Sequence, residues 1–524
     1  MQKGTGMFAG TVIRKNQYYD SVFLMGINDR LMKVKGVTQT AVLMATDSNK
    51  EVLAGLGFTH PELTTATPND LVVAVIAETQ KAVDAVLDHL DEWLTEVRSS
   101  KPTLDLHTLA EAITVKPQAN LVVVSVPGEY AAHETRKSLE AGMNVFLFSD
   151  NVSIEDEVSL KQYAQDHGLI VMGPDCGTSI LGGVGVGFAN VVRRGKIGVI
   201  GAAGTGLQEF TSMVHNSGYG ISHALGTGSR DLSDMVGAIT TLTALTALEK
   251  DPNTEVITIL SKPAGVKTLS NLVDRIKTCK KPVIVCFLGI QQALGGEGKL
   301  FQRARTIDEA VARAIRQIGG DPTRLKRLLD DSEILPASEE RKGWRSEQKY
   351  LRGIFAGGTF CYQTQQILQE GGIKVYSNAP LDKAFKLEHP DTSREHTIVD
   401  MGDDFYMVGK LHPMIDSTQR RLRIIKEAHD PEVAVLLLDF ILGYNSSMDP
   451  VGELIGTIHE AQQIAIKRDG RLTVVTSICG TDGDPQDLAL QTKMLKDSGA
   501  IVFHSNARAA EFCACLLREV NNVR

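Results

Sequence analysis

The stretch KIGVIGAAGTGLQEF (196–210) reads as an apolar strand, a turn carrying Gly201, Gly204 and Gly206, and the first turns of a helix. The same order of signals returns in YLRGIFAGGTFCYQTQQILQEGG. Each copy is followed by a strand led by Asp-Pro (DPNTEVITILSK, then DPEVAVLLLDFILG) and by a further strand (KKPVIVCFLG, then RLTVVTSICG). A repeated strand–glycine turn–helix unit with apolar partner strands constrains the chain to doubly wound α/β domains with largely parallel sheets. Two related domains are expected, at 193–325 and 347–524. The charged segment between them, 326–346, has no sustained apolar period and reads as a surface linker.

Two further units precede the repeat. Residues 114–192 alternate strands such as NLVVVSV and NVFLFS with helices, as a Rossmann-type unit does, and residues 1–113 give a small α+β module of ferredoxin-like pattern. The module has no GxGxxG after its first strand, so no dinucleotide site is read there. The 524 residues fit three or four domains, and a 43% hydrophobic content supplies their cores. With 55 Lys+Arg against 63 Asp+Glu and the basic residues scattered, neither nucleic acid nor an anionic membrane is an expected partner. No apolar h-region opens the chain and no stretch approaches about 18 apolar residues, so a cytoplasmic protein is expected. The seven cysteines include no CxxC, so no metal site is expected; most read as core filling.

What the first glycine turn holds follows from backbone chemistry. The opening N–H groups of a helix are unpaired and partly positive, and glycines let a ligand approach them closely, so a phosphate or other anion is the default guest; such turns also occur empty. Arg230, in GTGSRDLSD with Gly228, has the fork geometry to meet a carboxylate or phosphate, or else pairs with Asp231 or Asp234. Lys262, at a strand end, lies where α/β folds bind ligands, or is a solvated turn lysine. The segment VDMGDDFYMVGKLHPMID concentrates Asp400, Asp403, Asp404, Lys410, His412 and Asp416 in an insertion, with His412 a candidate acid or base near neutral pH.

From LIVMGPDCGTSILGGVGVGFANVVRRGKIGVIGAAGTGLQEF through GTGSRDLSDMVG and EKDPNTEVITILSKPAG, the sequence resembles the α subunit of succinyl-CoA synthetase. From VDMGDDFYMVGKLHPMID through LLLDFILGYNSSMDPVGEL it resembles the C-terminal ligase domain of the β subunit. Both on one chain, behind a small N-terminal module and without an ATP-grasp domain, is the arrangement of the FdrA family. The resemblance makes 114–192 CoA-binding-like and the repeats succinyl-CoA synthetase-type, flavodoxin-like domains. It implies a phosphate held by two helix N-termini, at Gly204, Thr205 and Gly206 and at Gly443, Tyr444, Asn445, Ser446 and Ser447. Glu209 falls where the ligases place a histidine-contacting glutamate. The GPDCGTS loop, with Asp175, Cys176, Gly177 and Thr178, matches a ligase active-site loop and would meet substrate together with Gly228, Arg230 and Asp403. Glu209, His412 and Lys262 are the expected catalytic residues.

The phosphohistidine of the ligases has no counterpart, because the chain continues IQQALGGEGKLFQRA where it would lie. The family's glycine-rich CoA turn is also absent, so CoA remains a possible cofactor only. The resemblance then implies a subunit of a carbamoyltransferase-type complex, in which phosphate or carbamoyl phosphate is substrate and oxalurate is split to carbamoyl phosphate and oxamate with partner chains or further copies. The alternatives are an acyl-CoA ligase subunit with an unusual phosphoryl carrier and a non-catalytic assembly subunit.

Overall fold

The computed structural model describes residues 7–521 apart from 18, 20, 33, 97–105, 291–293, 296, 333 and 408–409. The chain forms two compact units that divide between Val115 and Lys116. In the first, β1 (Phe8–Arg14), β2 (Val37–Met44) and β3 (Leu71–Ala77) make an antiparallel sheet in the order β1-β3-β2. The central strand, LVVAVIA, is apolar throughout because both faces are covered. Leu24, Ile27, Leu31, Val83 and Val86 pack on one side, and Leu53, Phe58 and Leu63 on the other.

The second unit opens with a parallel sheet of β4 (Leu121–Val124), β5 (Asn144–Leu147) and β6 (Val171–Met172). A hairpin follows, β7 (Thr178–Leu181) and β8 (Val184–Gly187). Next come β9 (Arg194–Ala202), β10 (Ile221–Gly226), β11 (Val256–Ser261), β12 (Val283–Phe287) and β13 (Phe301–Arg303). The second repeat supplies β14 (Tyr350–Phe355), β15 (Tyr376–Ser377), β16 (Thr397–Asp400), β17 (Val433–Ile441), β18 (Thr473–Cys479) and β19 (Ile501–Phe503). The two large sheets run β13-β12-β11-β9-β10-β7-β8 and β15-β16-β14-β17-β18-β19. Each contains one flavodoxin-like order, β10-β9-β11-β12-β13 in the first and β16-β14-β17-β18-β19 in the second.

Two placements differ from the sequence reading. The β7–β8 hairpin, inside 114–192, extends the sheet of the following segment: β7 pairs antiparallel with β10, and Ile180 lies in that sheet's core. Within 326–346, Ile334, Ala337 and Trp344 pack on the core of the second repeat, and Trp344 Nε1 donates to Thr473 Oγ1 at 2.9 Å. Isolated apolar anchors in a charged stretch carry no period, so periodicity could not show that this connection is docked.

The helices that follow the two glycine turns, Gly204–Asn216 and Gly358–Glu370, pack against each other. Each lies between its own sheet and its counterpart, and is therefore buried on nearly every side, including Gln208, Glu209, Thr211 and Ser212 in one and Gln363, Thr364, Gln365 and Gln366 in the other. Helix Ile307–Gln317 packs beside the first and Asn506–Asn521 beside the second, which completes a pseudo-twofold arrangement.

Candidate anion site between two helix N-termini

At the end of β9 the chain enters its helix through Ala203, whose side chain cannot cap, so no side-chain acceptor meets the opening amides. The end of β14 does the same through Gly357. These two N-termini face each other. A Cβ on Gly206 would lie 2.8 Å from Thr359 Cγ2, and one on Gly357 would lie 2.9 Å from Thr205 Cγ2 and Oγ1, so the close approach requires glycine at both positions. Thr178, on β7, puts its Oγ1 3.5 Å from the Cβ position of Gly204. The hydroxyls of Thr178, Thr205 and Thr359 are all buried, and none has a hydrogen-bond partner among the described residues. Each such group costs about 1–3 kcal/mol, and three of them beside two uncapped helix starts make a cradle of donors suited to an anion.

Charged groups flank the cradle on the side of Gly358. Asp400, which ends β16, accepts Gly402 N–H on Oδ1 at 2.9 Å, while Oδ2 lies 2.4 Å from the Cβ position of Gly358. Lys262 Nζ lies 3.2 Å from the same point and 5.6 Å from the Tyr362 ring centre. Burial lifts the Asp400 carboxyl to about 6 against the opposing pull of Lys262. His412 accepts Met414 N–H on Nδ1 at 3.2 Å, which leaves the proton of the neutral ring on Nε2. Burial, with Arg420 nearby, lowers its pKa to about 4, so near neutral pH it is a neutral donor. Behind the turn, Asp439 accepts the N–H groups of Ala356 and Gly357 at 2.9 and 2.8 Å, and Arg420 Nη2 at 2.8 Å.

The turn Gly443–Ser447 does not open the facing helix. Gly443 N–H goes to Gln486 Oε1 and Tyr444 N–H to Ala189 O, Asn445 Nδ2 donates to Gly187 O, Ser446 Oγ donates to Gly443 O, and Ser447 N–H goes to Met414 O. The helix beyond starts at Pro450 and is capped by Asp449. The second helix start at the cradle is instead Gly357–Thr359. Its signal was present in IFAGGTF, at the place in the second copy that corresponds to VIGAAGTG in the first.

Glu209 lies a turn and a half into its helix, away from the opening amides. Its Oε1 accepts Asn506 N–H at 2.7 Å, which caps the last helix of the second repeat. Gln363, at the matching position of the other helix, accepts Ile307 N–H at 3.0 Å at the start of helix Ile307–Gln317 of the first. These crossed caps tie the repeats together. Burial, then Asp308, raises the Glu209 pKa well above 4.5. An acid whose pKa rises on folding contributes stability at low pH that is lost as pH climbs past its unfolded value. Glu209→Gln keeps the acceptor and cannot ionise, so it should match the parent near pH 4.5 and melt progressively higher than it from pH 5 to 8. Parallel melting curves for the two proteins across that range would exclude this role.

Among the other expected residues, Cys176 is buried against Thr178 O and Ser179 Oγ in the core, and burial pushes its thiol to about 12. Gly177 O accepts Phe188 N–H, and Gly228, at φ +86°, packs against Pro174 O. Arg230 pairs with Glu157 and Val152 O rather than with Asp231 or Asp234, because Asp231 holds the buried Lys161 and Asp234 accepts Thr268 N–H. Asp403 accepts Phe405 N–H at the start of a short helical turn. Asp175 is exposed, with its backbone in the left-handed region at φ 55°.

The chain matches family models described as AllF, heavy metal-associated domain (residues 7–141), CoA binding domain (192–287) and CoA-ligase (354–515). It is 42% identical over 496 residues to the uncharacterized protein YahF of Escherichia coli K12, covering 94% of this chain and 96% of that one. It is 24% identical over 209 residues to the α subunit of ADP-forming succinate–CoA ligase from Methanothermobacter thermautotrophicus, covering 39% of this chain and 69% of that one. Among solved structures, the apo dinucleotide-forming acetyl-coenzyme A synthetase 1 of Ca. Korarchaeum cryptofilum aligns over 80% of this chain and 88% of that one, at 17% identity and a TM-score of 0.33. The donor set of the N-terminal unit does not fit a heavy metal. Cys176 is the first cysteine of the chain, and no group of three His, Cys, Asp or Glu among the described residues could hold a metal ion. A relative alike over nearly the whole length, with the module, CoA-binding and CoA-ligase segments in one order, shows that the chain belongs to the FdrA family of succinyl-CoA synthetase-like proteins.

Proposed function

We propose that the chain binds a phosphate group between the N-termini of helices Gly204–Asn216 and Gly358–Glu370 and serves exchange of an acyl group between that phosphate and a second acceptor, as a subunit of a CoA-ligase-type enzyme. The observation that carries this reading is the set of three buried, unpartnered threonine hydroxyls around two uncapped helix starts. Donors in that number are matched by the oxygens of a phosphate. Lys262 and the Nε2–H of His412 would polarise the acyl carbonyl, and the cradle would stabilise the charge on phosphate.

The likeness to the succinate–CoA ligase α subunit favours CoA as acceptor. One observation favours a second reading: no histidine lies between Phe287 and Thr306, so phosphate enters as substrate rather than on a covalent carrier. Carbamoyl phosphate, formed with partner chains, is then the product. Residues 193–206 and 350–359 do the same work in either case.

The test is thermal protection of the full chain by phosphate, CoA and carbamoyl phosphate, followed by assay of labelled phosphate incorporation with copurified partners. Phosphate at about 100 times its Kd should stabilise by about 2.7 kcal/mol. Incorporation from an acyl-CoA thioester supports the ligase reading, and incorporation from a carbamoyl donor without CoA supports the other. Protection by neither phosphate nor an acyl phosphate would rule out both.

A further inference from the structure

We propose that Asp400 is the proton carrier of the cradle, a catalytic residue that gives a proton to the leaving atom and recovers one from the attacking phosphate. The inference rests on the reading of the cradle as a phosphate site. Asp400 is held as a positioned acid would be. Its backbone is clamped from both sides by Asn378, whose Nδ2 donates to Asp400 O and whose Oδ1 accepts Asp400 N–H, both at 2.9 Å. The side chain is buried, with 7% of the residue exposed. Oδ1 is fixed by Gly402 N–H, and Oδ2, without a hydrogen-bond partner among the described residues, stands over the opening turn of the Gly358 helix.

The groups that face it set its charge. Lys262 approaches from the end of β11, Tyr362 and Cys361 from the Gly358 helix, Asp439 from β17, and Asp403 and His412 from its own insertion. Among the described residues Lys262 makes no ion pair, so its positive charge is balanced by Asp400 when the site is empty and by phosphate when it is filled. A phosphate dianion beside the carboxylate therefore raises the proton affinity of Asp400.

In the step itself, a phosphate oxygen forms a bond to the acyl carbon as the bond from that carbon to its sulfur or nitrogen breaks. Asp400, protonated as phosphate binds, gives its proton from Oδ2 to the departing sulfur or nitrogen, which leaves as a neutral thiol or amine, and then recovers the proton of the phosphate. The products are an acyl phosphate and a protonated leaving group, with no net change in protons or electrons. The same carrier serves a thioester and an amide donor.

The experiment is calorimetric titration of the full chain with inorganic phosphate at pH 7, in two buffers of different ionisation enthalpy, beside the exchange assay. The parent should take up more protons per phosphate bound than Asp400→Asn, by close to one. The variant should bind phosphate at least as tightly while its exchange rate falls about 100-fold or more. Asp400→Glu, which keeps the acid but moves it, should restore the proton uptake and part of the rate. Equal proton uptake by the parent and Asp400→Asn, or a variant rate within threefold of the parent, would overturn the assignment alone. Failure of phosphate to bind either protein would overturn the cradle reading first and this one with it.

Discussion

Arg420→Met is expected to cost about 3–5 kcal/mol of stability, and the deficit should widen as pH rises. Arg420 reaches in from helix Thr418–Ala428 and gives Nη2 to Asp439 Oδ1 at 2.8 Å, to Asp439 O at 2.7 Å and to Ile354 O at 3.2 Å. Asp439 is fully buried in the middle of its sheet. A carboxylate there is tolerated because a guanidinium and two backbone N–H groups surround it; burial already raises its pKa. Without Arg420 that pKa rises further. By the linkage relation, the folded state then loses stability as pH climbs above the unfolded value, and recovers as pH falls and the group takes a proton. Denaturant midpoints of parent and variant between pH 5 and 8 check the sign. Arg420→Met/Asp439→Asn should recover much of the loss, because the uncompensated charge, rather than the missing contact, dominates the penalty. A single variant within about 1 kcal/mol of the parent at pH 8 would show that the pair is not what holds Asp439.

The effect reaches the site because Asp439 is an anion that the protein supplies to itself. Ala356 and Gly357 point their N–H groups at it, so the glycine turn before the Gly358 helix is built around a carboxylate before any ligand arrives. The turn at Gly204 has no such internal guest. The two halves of the cradle are alike in their helix starts and unlike in the turn before them, where Asp439 takes the amides of Ala356 and Gly357 and leaves the opening amides of the Gly358 helix uncapped like those at Gly204.

Much of the architecture was legible in the sequence, because strand–glycine turn–helix is a local pattern and its recurrence with the same partner strands fixes the sheet order. Pairing between distant helix starts is not local. Gly204 and Gly443 both sit in glycine-bearing turns after apolar strands, and nothing in their spacing says which turn faces which. The deciding contacts, Gly206 with Thr359 and Gly357 with Thr205, join residues about 150 positions apart. Glu209 was misplaced for a related reason: its position on the helix was right, but whether a buried carboxylate meets a ligand or a helix cap depends on Asn506, nearly 300 residues on. Cys176 sits in the loop that matches a ligase loop and Arg230 in GTGSRDLSD, and nothing local to either stretch names the partners they take, Ser179 and Glu157. Asp400 stood out only as one acid in a cluster; the clamp by Asn378 and the nearness of Gly358 separate it from its neighbours.

The threonine hydroxyls allow a test in which stability and binding move in opposite directions. Thr205 and Thr359 are buried, and each leaves a hydroxyl unpaired. Valine has nearly the same shape and removes the unpaired group, so Thr205→Val/Thr359→Val should make the ligand-free protein more stable, by roughly 1–3 kcal/mol for each site at the upper bound. Were the hydroxyls serving the fold, the same change would lower stability. Toward phosphate the sign reverses, since each lost hydrogen bond to a charged group removes about 1.5–3 kcal/mol, and the double variant should bind at least 100-fold more weakly. Melting measured with and without phosphate reads both effects on one sample. The parent should gain more from the ligand than the variant does, and the variant should start higher. A variant that starts lower and keeps its phosphate response would mean that the two hydroxyls face no ligand, and the cradle would then reduce to its backbone amides.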